Sequence, residues 1–412
     1  MFAYSESHYY GEQVPLADIA ARTGTPVYVY STQSLLASYR AYDTAFGDLP
    51  HTVCYAVKAN SSLAVLALLA KAGAGFDIVS GGELFRVLKA GGDPGKVVFS
   101  GVGKTAAEID YALAHGIHSF NCESESELAL IDSLAARLGM KAGFSLRINP
   151  DVDASTHPYI STGLNQHKFG IALAEGAAVY ERSRQFRNLS AEGVSCHIGS
   201  QMLDESPILE AVDKLLELAA RLRAEGHAIR HLDFGGGLGI AYSPRDKAPA
   251  IPAFIGRLRD RVHESGLSVM VEPGRSIVGP AGVLITRVLY RKRNGAKEFV
   301  VVDAGMNDLI RPSLYGAHHE IVPVRRNSLP RITADVVGPV CETGDFLARG
   351  REMANVMPGD FLAVEAAGAY GFVLASNYNS RPRAPEVLVD GSTWRVVRQR
   401  ETYDDLIRGE TA

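Results

Sequence analysis

Cysteine is scarce in this sequence: Cys54, Cys122, Cys196 and Cys341 lie far apart, and none stands in a C-x-x-C spacing. That excludes a disulfide framework and a zinc knuckle, and it fits a reducing cytoplasm. A surplus of one charge is also lacking. Lys and Arg number 42 against 46 Asp and Glu, a formal −4, so neither a basic nucleic-acid footprint nor an acidic tail is present. The longest apolar helix-period run, Leu63 to Ala70, is far shorter than the ~20 residues that span a bilayer. The N-terminus has neither the basic start nor the apolar core of a signal peptide. The expectation is a cytoplasmic protein with no membrane or nucleic-acid partner. Apolar residues at 46% and charged residues at 21% are ordinary globular values and exclude disorder and fibre.

From about Cys54 to Arg275, short β-branched runs alternate with longer helix-period stretches. The runs are Cys54–Lys58, Phe76–Val79, Lys96–Phe99, His118–Asn121, Gly143–Arg147, Gly193–His197, His231–Phe234 and Leu267–Glu272. Between them, Leu63–Ala72, Glu83–Ala90, Ala106–His115, Glu125–Leu138, Ile208–Glu225 and Pro252–Glu264 read as helices. Such regular β/α repetition points to a closed (β/α)8 TIM-type barrel over 33–277, since an open doubly wound sheet rarely needs so many identical steps. Beyond Val278 the rhythm becomes strand after strand: Val283–Arg291, Glu298–Asp303, Arg331–Val337, Asp360–Glu365, and a hairpin of Glu386–Val389 and Thr393–Arg400 about Asp390-Gly391. That predicts a C-terminal antiparallel β domain. The early strand Pro26–Tyr30 joins it on this reading, giving a discontinuous second domain of 1–32 and 278–412.

Barrels place chemistry at the C-terminal ends of their strands, and unusual residues cluster there: Lys58-Ala-Asn60, Asp77 through Glu83, Arg147-Ile-Asn149, His197 through Ser200, Gly235 through Gly239, and Glu272-Pro273-Gly274-Arg275. Lys58 follows an apolar strand, where a desolvated amine has a lowered pKa and can form a Schiff base; a lysine snorkelling to solvent is the other reading, and position alone does not decide. The run Gly235-Gly236-Gly237-Leu-Gly239 can present bare N–H groups to a phosphate, or serve only as a flexible turn. Glu272 is either an acid for a ring nitrogen or a salt-bridge partner of Arg275, and His197 either stacks on a flat cofactor or is a hydrogen-bonded core residue. A lysine for an aldehyde, amides for a phosphate and a carboxylate for a pyridinium nitrogen together describe pyridoxal 5'-phosphate.

In the β domain, Arg311-Pro-Ser-Leu-Tyr315, Gly338 through Asp345 and Ala367-Gly-Ala-Tyr370-Gly371 stand out at strand ends. Cys341 is either a placed proton donor or an inert buried thiol. His318-His319-Glu320 lacks metalloprotease spacing and reads as structural or solvent-facing, so no metal is assigned. The stretch from Asn149 through Gln166 reads as a loop that closes over the site.

Tyr55-Ala-Val-Lys58-Ala-Asn60, Phe76 through Glu83, Lys168-Phe-Gly170, His197 through Gln201, Phe234 through Gly237, Glu272 through Arg275, Arg311 through Tyr315, Cys341 through Asp345 and Gly368 through Gly371 occur in one order along nearly the whole chain. In this the sequence resembles the fold-type III pyridoxal-phosphate decarboxylases of the ornithine/diaminopimelate/arginine group, whose barrel is alanine racemase-like, and among them the bacterial diaminopimelate decarboxylases. The resemblance implies that Lys58 carries the cofactor, His197 stacks on its ring and Glu272 pairs with the ring nitrogen. Asp77, Ser200, Gly235, Gly236, Gly237, Pro273, Gly274 and Arg275 would surround it, with Tyr370 touching cofactor and substrate. It further implies that Arg275, Arg311 and Tyr315 hold the distal carboxylate of meso-diaminopimelate, and that Cys341 and Glu342 enter from the partner of a homodimer with a shared active site. Thr343 and His167 depart from serines frequent in the family. The implied reaction is decarboxylation to L-lysine, the last step of lysine biosynthesis. The alternative is a related decarboxylase acting on another amino dicarboxylate in a siderophore or antibiotic pathway; an alanine-racemase-type enzyme and a non-catalytic cofactor carrier are weaker rivals.

Overall fold

The computed structural model describes residues 1–152 and 168–411; His167 and most of the loop expected to close over the site lie outside the described residues. The chain forms two compact units. One comprises residues 37–240 and 247–276, the other residues 1–36, 241–246 and 277–412.

The first unit is a closed barrel of eight parallel strands, in order His51–Ala56, Gly75–Ile78, Val97–Phe99, Ser119–Cys122, Ala142–Asn149, Leu189–Ser195, His231–Asp233 and Ser268–Val271. Closure comes from the last strand pairing with the first, Val269 opposite His51. Each expected β-branched run supplies one of these strands. Side chains alternate along each strand. Phe76, Phe99, Phe120 and Phe144 are buried on the outer, helix-facing side, Phe144 stacking on Tyr180, while Asn121 meets Asp233, Ser145 meets His231, and Cys54, Val98 and Met270 cluster inside the barrel. Helices start where short polar side chains cap them. Ser80 accepts from the Glu83 N–H ahead of Gly81–Lys89, Thr105 and Glu108 form a capping box ahead of Ala106–Ala114, and Ser124 accepts from the Glu127 N–H ahead of Glu125–Leu138. Leu173–Ser183 is a further helix that periodicity alone had not marked.

The second unit is the expected antiparallel β domain, with two parallel pairs within its sheet. Its strands run in the order Phe346–Met353, Ile332–Val337, Lys297–Val302, Gly282–Asn294, Val27–Ser31, Glu386–Asp390, Thr393–Arg398. Lys297–Val302 with Ile332–Val337, and Val27–Ser31 with Glu386–Asp390, are parallel pairs; the other neighbours are antiparallel. Chain order explains the exceptions, since a strand from residues 27–31 enters beside one from the C-terminal region without any hairpin to fix its direction. Gly282–Asn294 is long enough to pair with Val27–Ser31 and Phe361–Val364 through its first half and with Lys297–Val302 through its second. Among the described residues no helix is long and apolar enough to cross a membrane.

Candidate active site

Register decides what meets at the barrel rim. Ala56 lies opposite Asp77, so Lys58, two residues further on, can reach back to that carboxylate. The first strand ends at Ala56, and Lys58 sits in the 3-10 turn Val57–Ala59, not on the strand as the apolar run had suggested. Its Nζ donates to Asp77 Oδ2 at 2.6 Å, with the lysine one-third exposed and the aspartate buried. Asp77 Oδ1 is buried and has no hydrogen-bond partner among the described residues.

Two further carboxyls complete the floor of this site. Glu272 follows the eighth strand and Asp233 ends the seventh; both are buried. Asn121 Nδ2 donates to Glu272 Oε1 at 3.1 Å and to Asp233 Oδ2 at 3.0 Å, and Ser100 Oγ donates to Glu272 Oε1 at 3.3 Å. Burial pushes the Glu272 carboxyl well up; Asp233 and Asp77 push it in the same direction, while Lys58 pulls it down. Burial likewise raises Asp233, against the N–H groups of Gly235 and Asn121 that favour its anion. The physical meaning is that burial and mutual repulsion hold the Asp233 and Glu272 carboxyls toward their protonated forms, with Lys58 opposing the effect at Glu272.

Glycine is needed in the loop after the seventh strand. Gly235 and Gly237 have φ of +63° and +112°, backbone that other residues adopt only under strain. A Cβ at Gly235 would lie 2.6 Å from the Cys196 carbonyl oxygen, one at Gly237 2.7 Å from that of Gly199, and one at Gly236 would fall on the Glu272 carbonyl oxygen. Bare backbone is therefore packed against backbone here. Gly274 is as tight, a Cβ there coming 2.9 Å from Ala59 Cβ. Arg275, buried at the start of the turn Arg275–Val278, donates through Nη2 to Ser200 Oγ at 3.0 Å.

His197 is half-buried beside this loop. The Gly236 N–H donates to its Nδ1 at 3.2 Å, so Nδ1 is bare and the neutral ring carries its proton on Nε2. Its pKa lies well below the ordinary value because of burial first, then the positive charges of Arg147 and Lys58. Arg147 also donates to the His197 carbonyl at 3.2 Å and pairs with Glu123 at 3.3 Å.

Of the expected site residues, the barrel brings together Lys58, Asp77, His197, Ser200, Gly235, Gly236, Gly237, Glu272, Pro273, Gly274 and Arg275. Ser100, Asn121 and Asp233 are additions. Asp233 had a signal, a charge inside the apolar run Leu232 to Phe234 just before the glycines; the two small polar residues had none.

The remaining expected residues, Arg311, Tyr315, Cys341, Glu342 and Tyr370, belong to the β unit. Arg311 opens the short helix Arg311–Tyr315 and is buried. Its guanidinium lies 4.6 Å from the Tyr242 ring centroid, and Nη1 donates to His319 Nε2 at 3.0 Å. His319, expected as structural or solvent-facing, is buried against a residue implied in substrate binding. Cys341 is exposed, as is Glu342, which sets aside the inert-core reading of that thiol. Their loop is held from inside: the Asp345 carboxylate accepts from the Val340 and Met306 N–H groups at 2.6 Å each. Tyr370 has a φ of +55°. Among the described residues no group of three or more His, Cys, Asp or Glu is placed to hold a metal ion.

The residues present fit pyridoxal phosphate. A cationic pyridinium would supply charge that the buried Asp233 and Glu272 lack, and the unpartnered Asp77 oxygen is an acceptor in waiting.

Comparison with known proteins agrees. Residues 32–279 match the family model of the pyridoxal-dependent decarboxylase, pyridoxal binding domain. The diaminopimelate decarboxylase of Pseudomonas aeruginosa is 56% identical over 412 residues, covering 100% of this chain and 98% of its own length. Among solved structures, diaminopimelate decarboxylase from Helicobacter pylori complexed with L-lysine superposes with a TM-score of 0.92 at 43% identity, covering 95% of this chain and 98% of that one. The M. jannaschii diaminopimelate decarboxylase in complex with L-lysine gives 0.95 at 36% identity, covering 100% and 98%.

Proposed function

This chain belongs to the pyridoxal-dependent decarboxylases, and from that premise we propose that it converts meso-2,6-diaminopimelate into L-lysine and carbon dioxide, the last step of lysine biosynthesis, as a cytoplasmic homodimer. The observation that carries the chemistry is Lys58 seated on Asp77 above the buried Asp233–Glu272 pair. Bound there, the cofactor supplies an electron sink for the pair left behind by the departing carboxylate.

The chain's own residues then divide the work. Lys58 would hold the cofactor through its amine, which Asp77 keeps in place. Glu272 keeps a proton on the ring nitrogen. A cation at that point lowers the pKa of Glu272 and stabilises its anion, reversing the upward push of burial. The neutral ring of His197 would lie against the cofactor without adding charge, and Ser200, Gly274 and Arg275 would hold its phosphate beside the Gly235 to Gly237 loop. Tyr370 touches both cofactor and substrate. Arg311, with Arg275 and Tyr315, binds the substrate's distal carboxylate, which a guanidinium can take in bidentate fashion; the cationic tail of ornithine would be repelled there. Cys341 of the partner subunit returns a proton to the α-carbon, and Glu342 of the partner subunit takes the distal ammonium. The exposure of both residues in the single chain supports their use in a second subunit's site.

Incubating the cofactor-loaded protein with meso-diaminopimelate while measuring lysine and carbon dioxide tests this directly. Stoichiometric release of both is expected; α-proton exchange without gas, or gas only from another amino dicarboxylate, would replace the reading.

A further inference from the structure

The hydrogen bonds around His319 fix its protonation. Its Nδ1 lies 2.8 Å from the Glu365 carbonyl oxygen, which only accepts, so Nδ1 carries the proton. Its Nε2 lies 3.0 Å from Arg311 Nη1, which only donates, so Nε2 is bare. The ring is thus the neutral Nδ1–H tautomer, a one-way connector between a backbone carbonyl and a guanidinium. The Tyr242 ring meets His319 edge-on, with centroids 5.1 Å apart at 75°, and also lies against Arg311. Tyr242 is held in turn by the Asp246 carboxylate, which accepts the Tyr242 and Ser243 N–H groups at 2.9 Å each.

A second layer holds the histidine's backbone. Arg351 Nη1 donates to the His319 carbonyl at 2.8 Å, and its Nη2 donates to His318 Nδ1 at 3.1 Å. His318 Nε2, therefore protonated, donates to Glu320 Oε2 at 3.1 Å. Every member of the His318-His319-Glu320 triplet has an assigned donor or acceptor role, and the stack ends on Arg311.

We propose that His319 is a positioning residue for substrate recognition: clamped between the Glu365 carbonyl and Arg311, with Tyr242 against both its imidazole and the guanidinium, it aims Arg311 at a substrate carboxylate without neutralising it. A carboxylate in the same place would orient the guanidinium equally well but would occupy it as an ion pair, competing with the substrate's own anion. A neutral acceptor fixes direction and adds no competing anion. The inference rests on the reading of Arg311 as the distal-carboxylate site.

The test compares two inhibitors of the holoenzyme. L-Lysine keeps the carboxylate that Arg311 is assigned to grip, and 1,5-diaminopentane has the same chain without it. His319→Phe is expected to weaken inhibition by L-lysine about tenfold, the scale of one lost hydrogen bond to a charged group, while inhibition by 1,5-diaminopentane holds. His319→Gln, whose amide can accept from Arg311 and donate to Glu365, should restore lysine inhibition to near the parent value. His319→Asp should weaken lysine more than His319→Phe does. Equal losses for both inhibitors in His319→Phe, or no loss while Arg311→Ala selectively loses lysine, would overturn the positioning role alone. If Arg311→Ala itself spares lysine, the assignment of Arg311 falls and this inference with it.

Discussion

At the barrel rim three buried carboxyls, Asp77, Asp233 and Glu272, share one ammonium, Lys58, whereas in the β unit the buried Arg311 is set against a neutral imidazole and a phenol ring. Burial in the first raises the pKa of the Asp233 and Glu272 carboxyls, which a nearby cation would counter. The second keeps a full positive charge fixed in direction. Burying such groups is costly for folding, and on the proposed function each region prepares for a ligand of opposite sign: a protonated ring at the barrel rim, a carboxylate in the β unit.

The contrast can be broken most severely at its covalent end. Lys58→Ala should abolish turnover and the borohydride-reducible linkage to the cofactor, measured as lysine formation and as retained absorbance after reduction and dialysis; survival of either would remove the barrel's half of the account. At the other end, Arg311→Ala should raise KM for meso-diaminopimelate by the equivalent of ~2–5 kcal/mol, because a buried charge loses its partner. An unchanged KM in steady-state kinetics would mean that the distal carboxylate is read elsewhere.

A smaller effect tests the glycine backbone of the barrel rim. Gly236→Ala puts a Cβ onto the Glu272 carbonyl oxygen, and overpacking of that kind costs about 1–3 kcal/mol. Weaker cofactor binding in an absorbance titration, with a lowered melting temperature, is expected; parent-like behaviour in both would show that the loop relaxes freely.

The smallest effect separates the rim from the opposite end of the barrel. His231, at the start of the seventh strand, is buried with Nε2 3.0 Å from Ser145 Oγ and its ring centroid 5.4 Å from that of His118. Burial first, and His118 second, lower its pKa from the ordinary 6.5 to about 4. A histidine depressed in the folded state contributes stability that is fully present above pH 6.5 and is lost as pH falls toward 4, because the unfolded chain takes up the proton first. At pH 5.5 that loss is about 1 kcal/mol. Urea melts of His231→Gln should therefore show a flatter pH dependence between 6.5 and 4 than the parent protein; parallel curves would deny the burial effect.

Much of this was legible before any coordinates. Alternating apolar runs announced all eight barrel strands, because a parallel strand buried on both faces needs a β-branched stretch and its neighbours need helices. Lys58, the glycine run and Glu272 were visible as polar interruptions at strand ends. Other features depend on tertiary pairing that no local pattern encodes. Asn121 looks like any strand-end polar residue until the barrel closes and places it between Asp233 and Glu272. Tyr242 lies in a loop between barrel elements, yet residues 241–246 belong to the β unit, so its place against Arg311 could not be read from spacing. His319 was set aside for lacking metal-ligand spacing, a test that says nothing about a tautomer fixed by a carbonyl and a guanidinium. The parallel pairs of the β unit were missed for a related reason: strand count is local, strand direction is not.

The central claim is that Lys58 is the residue joined to the cofactor. Reducing the cofactor-loaded protein with borohydride, digesting it and locating the pyridoxyl-bearing peptide by mass spectrometry tests it in one measurement. The label is expected on Lys58 and on no other lysine; a label elsewhere, or none at all on a protein that still releases carbon dioxide from meso-diaminopimelate, would contradict it.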